Sequence, residues 1–207
     1  MAKNIAIDRA KRLHEEAHKG HNRWHPDITP VIEAEPMEEF AIETRDASDD
    51  QIRPGVRAED LAKLDLGAVH PLTGPVYVKG AKPGDLLEIE YLDIVPTRHA
   101  WTRFAPGGGF LPDLFPHHFV MHWDLTREYA TSPSLPGVRI PNGAFMGTAG
   151  VAPSREQVRA WTAREAELKG RGARVFLPDV AGAVPASGAA AKEGLRFRRA
   201  RTAATRT

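Results

Sequence analysis

The sequence contains no cysteine among its 207 residues. Disulfide bridges, thiolate metal sites and cysteine nucleophiles are therefore excluded. An excess of charge of either sign is also lacking, because the formal net charge is only +1 at pH 7. A charge this small provides no overall attraction to nucleic acid or to an anionic membrane surface. We therefore expect neither of them as a partner.

Long apolar runs are absent as well. Charged residues or prolines interrupt every apolar stretch before it reaches the length that spans a membrane. Residues 1–20 are highly charged and lack the apolar centre of a secretory signal. These two features predict a cytoplasmic protein.

Proline and glycine, in contrast, are plentiful, with 17 and 18 residues spread along the chain. This spread favours many short elements joined by turns. Apolar and polar residues alternate around residues 40–45 and 86–95, which predicts strands. One helix is predicted over residues 154–169, because Ser154 and Gln157 form a capping-box pair. The pattern predicts a mainly β fold with few helices.

Composition divides the chain into three parts. Residues 1–19 form a charged N-terminal arm, residues 20–170 a β-rich domain, and residues 171–207 a tail rich in alanine, glycine and arginine. A basic tail can contact phosphates, but Phe197 is the only aromatic residue within its final arginine-rich stretch. The tail therefore does not change the expectation of no nucleic-acid partner.

Two groups of histidines are candidate metal ligands. Residues 14–18 read His-Glu-Glu-Ala-His, the pattern in which two histidines one helical turn apart bind zinc beside a general-base glutamate. Because this segment is polar nearly all round, a charged surface helix is the favoured interpretation, and a zinc peptidase using His14, Glu15 and His18 is the alternative. His118 and His122 can share a metal only on a helix, and surface histidines are favoured there.

Four blocks carry the strongest signal, and they occur in a distinctive order. They are Gly-His-Asn-Arg-Trp-His-Pro-Asp-Ile at residues 20–28, Glu-Thr-Arg-Asp at 43–46, His-Pro-Leu-Thr-Gly-Pro-Val at 70–76, and Trp-Asp at 123–124. Together with shorter matches up to about Leu168, they resemble the acetamidase/formamidase family. The first block looks most like the formamidase branch.

This resemblance implies a β-rich sandwich and hydrolysis of a short amide, formamide or acetamide, to the carboxylic acid and ammonia. It also implies a small-molecule amide as the substrate partner and a homo-oligomer in intact family members. A divalent metal, zinc or calcium, is the cofactor that it suggests.

The site residues follow from the matching blocks. The reaction needs an activated water and a group that stabilises the tetrahedral oxyanion. On the resemblance, the expected catalytic residues are Glu43, Asp46, His70 and Asp124, and the expected metal ligands are His21, Asp46 and His70. The structural alternative is that Asp46 and Asp124 cap turns.

Two residues depart from the family pattern. Met37 stands where a Pro-Gly-Asp turn has glycine, and Asp50 replaces another glycine. Because a side chain disfavours positive φ, we expect the turn at Met37 to change type.

The family's later blocks, Pro-Pro-Arg-Glu-His-Gly-Gly-Asn and an acidic Gly-Asp-Gly-Glu, do not occur in the sequence. Codons for residues 203–207, read one base later, can encode Pro-Pro-Arg-Glu-His. The hypothesis is a frameshift a little upstream of Arg201, near Gly194. It predicts an incomplete, truncated domain with exposed strand edges and impaired activity. The alternative function is therefore a catalytically inactive fragment or pseudo-enzyme.

Overall fold

The computed structural model describes residues 3–173 and 175–196. Its two α-helices there are α1 (Arg155–Gly170) and α2 (Gly188–Glu193), and short 3-10 helices span Leu13–Glu16 and Ala58–Lys63. Its strands are β1 (Lys3–Ile5), β2 (Gly20–His21), β3 (Ile32–Ala34), β4 (Phe40–Ile42), β5 (Leu72–Thr73), β6 (Val76–Val78), β7 (His99–Phe104), β8 (Phe119–Leu125), β9 (Tyr129–Thr131) and β10 (Ile140–Pro141). The mainly β fold with few helices confirms the class expected from the sequence. Within the described ranges, neither helix is long and apolar enough to cross a bilayer.

The chain forms two compact units. The first comprises the described residues of Met1–Asp50, Asp65–Gly84 and Val151–Thr207. Its strands pair in three small sheets: β1 with β4 and β3 with β6 in parallel, and β2 with β5 antiparallel. These pairings join segments far apart in sequence, so the first unit is held together by non-local contacts.

The second unit comprises Gln51–Leu64 and Asp85–Gly150. Its strands form one antiparallel sheet in the order β10-β9-β8-β7. The long pair β7 and β8 runs from His99 opposite Asp124 to Phe104 opposite Phe119. Ile52 and Leu61, from the short segment of this unit, are buried.

Helix α1 begins where its sequence signals place it. The Ser154 hydroxyl accepts a hydrogen bond from the Gln157 backbone N–H (3.1 Å), and the Gln157 side chain accepts one from the Ser154 N–H (2.9 Å). This reciprocal pair satisfies two N–H groups that a helix start leaves open. Val158 is buried on the inner face, and the helix ends at Gly170. The predicted helix is therefore confirmed.

The turn at Met37 does not change type, so that expectation is wrong. Met37 has φ +66°, and Asp50 has φ +58°, both in the left-handed region that glycine favours. Pro36 holds the preceding φ negative, and the Glu38 N–H donates to the Glu35 carbonyl (3.1 Å), which together define a type II turn. The Met37 side chain is 99% exposed, so the positive φ is opposed only by the local clash of Cβ with its own backbone and not by packing.

A buried ion pair fixes the N-terminal arm to the first unit. The Arg45 guanidinium donates to the Glu16 carboxylate and to the Lys11 carbonyl, and the Asp8 N–H (2.9 Å) and Lys19 ammonium (2.6 Å) also donate to Glu16. The hydrogen bond from Lys19, reinforced by the Asp8 amide and the two cationic charges, lowers the pKa of Glu16 from 4.5 to about 2, although burial opposes the shift.

The segment after Gly170 packs into the first unit as far as it is described. Ala183, Val184, Ala190, Ala191 and Leu195 are all buried. The hypothesised frameshift bears mainly on residues 197–207, which lie outside the described residues.

Candidate active site

The block at residues 20–25 is a deeply buried polar part of the first unit. Strand β2 within it pairs with β5, so that Gly20 lies opposite Thr73 and His21 opposite Leu72. The side chains that follow are polar but inaccessible: His21, Asn22, Arg23 and His25 are all buried. Burial of so many polar groups requires that the surrounding backbone satisfies them.

The Asn22 amide ties three distant segments together. Its Nδ2 donates to the carbonyls of Gly182 (2.8 Å) and Gly67 (3.2 Å). Its Oδ1 accepts from the Val184 N–H (2.8 Å). Because the side chain both donates and accepts, neither aspartate nor leucine of similar size can replace it.

Arg23 is fully buried, and its charge is held largely by backbone oxygens. Its guanidinium donates to the carbonyls of Gly67 (3.2 Å), Asp179 (2.9 Å) and Ala181 (3.0 Å), and also to those of Asn22. Burial, and to a smaller degree the nearby Arg196, lowers the pKa of Arg23 to about 10. The side chain is therefore still a cation at neutral pH, and it orders the backbone around His21.

His21 is held in one tautomer. Its Nδ1–H donates to the Arg23 carbonyl (2.6 Å), and a carbonyl can only accept. The Nε2 atom of the neutral ring therefore carries the lone pair. Burial lowers the pKa of His21, against the opposing effect of that hydrogen bond. His21 is consequently a neutral base at pH 7, with its ring packed edge-on against Trp24 at 6.2 Å between centroids.

His25 is a second buried imidazole of this block, and the sequence reasoning did not single it out. Its Nδ1 accepts a hydrogen bond from the Asp27 N–H (3.2 Å), so that the proton of the neutral ring is on Nε2. Within the described parts of the chain, that buried Nε2 has no hydrogen-bond partner. The signal that could have found it is its place in the same block as His21.

Two of the expected catalytic residues are connected to β5, the strand that pairs with β2. His70 is two residues before Leu72, the partner of His21, so the two Cα atoms are at most about 13 Å apart. The Glu43 carbonyl accepts from the Thr73 hydroxyl (2.8 Å), while its exposed carboxylate accepts from the Ile7 N–H (2.9 Å). His70 and Glu43 are thus linked through β5 to the strand pair that carries His21.

Asp46 has the structural role that was weighed as its alternative. Its carboxylate accepts from the Ser48 N–H (2.7 Å), the Ser48 hydroxyl (2.6 Å) and the Asp50 N–H (2.7 Å). These contacts cap the turn that follows.

Asp124 lies in the second unit, on β8, with its side chain exposed. His99 lies opposite Asp124 in this strand pair. The His122 Nε2–H donates to the Val56 carbonyl (2.7 Å), so Nδ1 of the neutral His122 ring can only accept a hydrogen bond. It accepts one from the Nε2–H of His99 (2.9 Å). His122 is thus on a strand, where it stacks on His99, and the helical spacing considered for His118 and His122 does not occur.

The model of the Acetamidase/Formamidase family matches residues 6–207. The chain belongs to this family. The family recognised from the sequence blocks is thereby confirmed.

Three similar proteins show how much of the family's length is matched. An acetamidase of Mycolicibacterium smegmatis is 38% identical over 177 residues, which are 79% of this chain and 44% of the relative. A formamidase of Methylophilus methylotrophus is 36% identical over 170 residues, covering 79% and 42%. The structure of a gamma lactamase from Delftia acidovorans superimposes with a TM-score of 0.82 and 32% identity, covering 94% of this chain and 52% of that one. The chain spans about half the length of these family members.

Among the described residues, no ligand set matches the metal suggested by the family resemblance. Across residues 3–173 and 175–196, no three histidine, aspartate or glutamate side chains are arranged so that they can hold a metal ion. The carboxylate of Asp46, one of the three expected ligands, already accepts three hydrogen bonds.

The H-E-x-x-H segment of this family member lacks the helix that a zinc peptidase needs. Only Leu13–Glu16 is helical, as a single 3-10 turn, and His14, Glu15 and His18 are exposed. The buried acid is instead Glu16, which pairs with Arg45. Two histidines on one α-helical face are thus not available here.

Proposed function

We propose that the chain carries the base of an amide hydrolase that converts a short linear amide, formamide or acetamide, to the carboxylic acid and ammonia. The observation that carries the proposal is His21, buried within the family block at residues 20–25 and fixed with its lone pair on Nε2. Relatives named acetamidase and formamidase, at 38% and 36% identity, support the reaction class.

In this proposal His21 Nε2 takes a proton from a water molecule as the water oxygen attacks the amide carbon. The tetrahedral adduct then collapses, the carbon–nitrogen bond breaks, and the leaving nitrogen takes a proton to depart as ammonia. The His21 imidazolium formed in the first step returns its proton to that nitrogen, which restores the neutral base. The lowered pKa of His21 keeps it in the neutral form that such a base needs at pH 7.

The experiment compares initial rates of ammonia release from formamide and acetamide for the wild-type chain and two variants. His21→Asn removes the base, so we expect a loss of about 100-fold or more. His14→Asn, on the exposed 3-10 turn, is the matched control and should retain the wild-type rate. Equal rates for His21→Asn and the wild-type chain would rule out His21 as the base.

A cyclic amide is a second candidate substrate. It is favoured by the superposition of 94% of the chain on a gamma lactamase with a TM-score of 0.82. Hydrolysis of a γ-lactam opens the ring to one amino acid and releases no ammonia, whereas a linear amide yields ammonia. Product analysis by NMR therefore separates the two substrates.

A further inference from the structure

Trp24 is an aromatic neighbour of His21 within the block at residues 20–25. The two rings are nearly perpendicular, with an angle of 87° between their planes and 6.2 Å between their centroids. These values lie within the range of the edge-to-face contacts that aromatic rings prefer. The indole therefore forms one wall of the space in which the His21 imidazole is held.

The hydrogen bond of His21 does not fix its ring by itself. The Nδ1–H donates to the Arg23 carbonyl (2.6 Å), which anchors one ring atom. The torsion χ2 of a histidine has broad minima, so one anchored atom leaves the rest of the ring, including Nε2, able to swing. A second contact is needed to direct the lone pair on Nε2, and the perpendicular indole provides it.

The backbone of Trp24 is held by the segment that follows α2. Its N–H donates to the Leu195 carbonyl (2.9 Å), and its carbonyl accepts from the Leu195 N–H (3.0 Å). Leu195 is buried, and a Cβ atom at the neighbouring Gly194 would lie 2.8 Å from the Cβ atom of Arg23. The two segments are thus in close contact, and this contact fixes the position from which the indole projects.

The indole can act only through its ring surface and not through its N–H group. Trp24 is half-buried, but its Nε1 atom is fully buried and has no hydrogen-bond partner among the described residues. A buried donor without a partner contributes no hydrogen bond that a substitution could break. Phenylalanine, which keeps an aromatic ring and lacks the N–H, is therefore the conservative replacement.

From the perpendicular ring contact and the backbone pairing with Leu195, we propose that Trp24 is a positioning residue that orients the His21 imidazole for proton transfer. This inference rests on the proposed function, since it concerns the base of that reaction. Trp24 acts through His21 and not on the reacting atoms: it restricts the swing of the ring, so that Nε2 keeps one direction. A base that must find its direction in each turnover loses part of the rate that a fixed geometry provides.

The kinetics of amide hydrolysis by the full chain test the proposal. Trp24→Ala should lower kcat for formamide about tenfold or more and keep KM within about twofold, because the orientation of the base changes and the contacts with the substrate do not. Trp24→Phe should keep at least about half of the wild-type kcat. Trp161→Ala, at a tryptophan of α1 that is 38% exposed, is the control and should keep the wild-type kcat. A wild-type kcat in Trp24→Ala would overturn the proposal.

A second measurement does not require activity. Two-bond ¹H–¹⁵N correlation spectra at pH 7 report which nitrogen of a neutral imidazole carries the proton. His21 of the wild-type chain should show only the Nδ1–H form, and His25, with its proton on Nε2, is the internal reference for the opposite form. Trp24→Ala should give both forms for His21, and Trp24→Phe the Nδ1–H form alone. An unchanged Nδ1–H form in Trp24→Ala would overturn the orienting role.

Trp24→Leu is the second variant, for the case in which Trp24→Ala does not fold, because leucine keeps apolar bulk beside His21 but has no flat ring. It should behave as Trp24→Ala does, and a wild-type result in either measurement would overturn the proposal. If the wild-type chain released no ammonia, the proposed function would fail. The tautomer of His21 in the Trp24 variants would still support or overturn its orientation by Trp24.

Discussion

At the scale of single residues, the first unit depends on buried polar side chains whose hydrogen bonds go mainly to backbone groups. Asn22 and Arg23 together bind the carbonyls of Gly67, Asp179 and Ala181. The sequence block predicted that this region matters but not how, because its partners are backbone atoms more than 40 residues away. Backbone partners leave no signal in side-chain identity.

Asn22→Asp tests the amide directly. The variant keeps the shape of the side chain but turns a donor toward the Gly182 carbonyl into a second acceptor, so two oxygens face each other in a buried site. We expect a loss of about 2–4 kcal/mol in the free energy of unfolding, measured in urea. Asn142→Asp, at a half-buried amide that donates to the Thr126 carbonyl (3.0 Å), should lose much less. Similar losses in the two variants would mean that burial of Asn22 is not decisive.

Met37→Gly should stabilise the protein. Met37 occupies the left-handed region with its side chain in solvent, so removing the side chain relieves backbone strain and breaks no packing. We expect a gain of about 1 kcal/mol. Met37→Ala keeps the Cβ atom and should change stability little. Thermal unfolding of the wild-type chain and the two variants checks this. A lower midpoint for Met37→Gly than for Met37→Ala would contradict the claim that the backbone at Met37 is strained.

At the scale of elements, the start of α1 was read correctly from the sequence, whereas the pairing of distant segments was not. The capping box of Ser154 and Gln157 lies within one turn, and α1 begins there as predicted. The alternation at residues 86–95 predicts a strand, yet a strand exists only with a partner. The pairing of Trp24 with Leu195 joins distant parts of the chain, and composition indicated only a tail there.

Gly182→Ala tests the close approach of two such segments. Gly182 has φ +65°, and a Cβ atom there would lie 2.6 Å from the Gly67 carbonyl carbon. We expect a loss on the order of 2 kcal/mol or more, since backbone must move. Gly172→Ala is the matched control, because Gly172 also has positive φ (+87°) but its Cβ atom would meet nothing within 4 Å. If both substitutions lowered the thermal midpoint equally, the whole loss would come from the positive φ, and the contact with Gly67 would contribute nothing.

At the scale of the whole molecule, the family and the mainly β class followed from the sequence, while the assembly of the site did not. Ordered blocks identify a family because many positions must agree at once. They do not reveal the contacts of single side chains: turn capping by Asp46 was only the alternative interpretation, and His25 was not singled out.

Stability should fall in acid, in part through Glu16. Its pKa is about 2 in the folded chain against an ordinary value of 4.5, so the unfolded state binds protons first as the pH falls. The contribution of Glu16 is therefore complete above about pH 4.5 and is lost toward pH 2. Urea unfolding of the wild-type chain and Glu16→Gln should show a stability difference that shrinks between pH 5 and pH 2. A difference independent of pH would show that the carboxylate charge is not what stabilises this site.

The most direct test of the central claim is ammonia release from formamide and acetamide by the purified chain at pH 7, measured against a protein-free solution. We predict release above that background by the wild-type chain and its loss in His21→Asn. If the wild-type chain released no more ammonia than the protein-free solution, while the Mycolicibacterium smegmatis acetamidase was active under the same conditions, the proposed hydrolysis of linear amides by this chain would be contradicted.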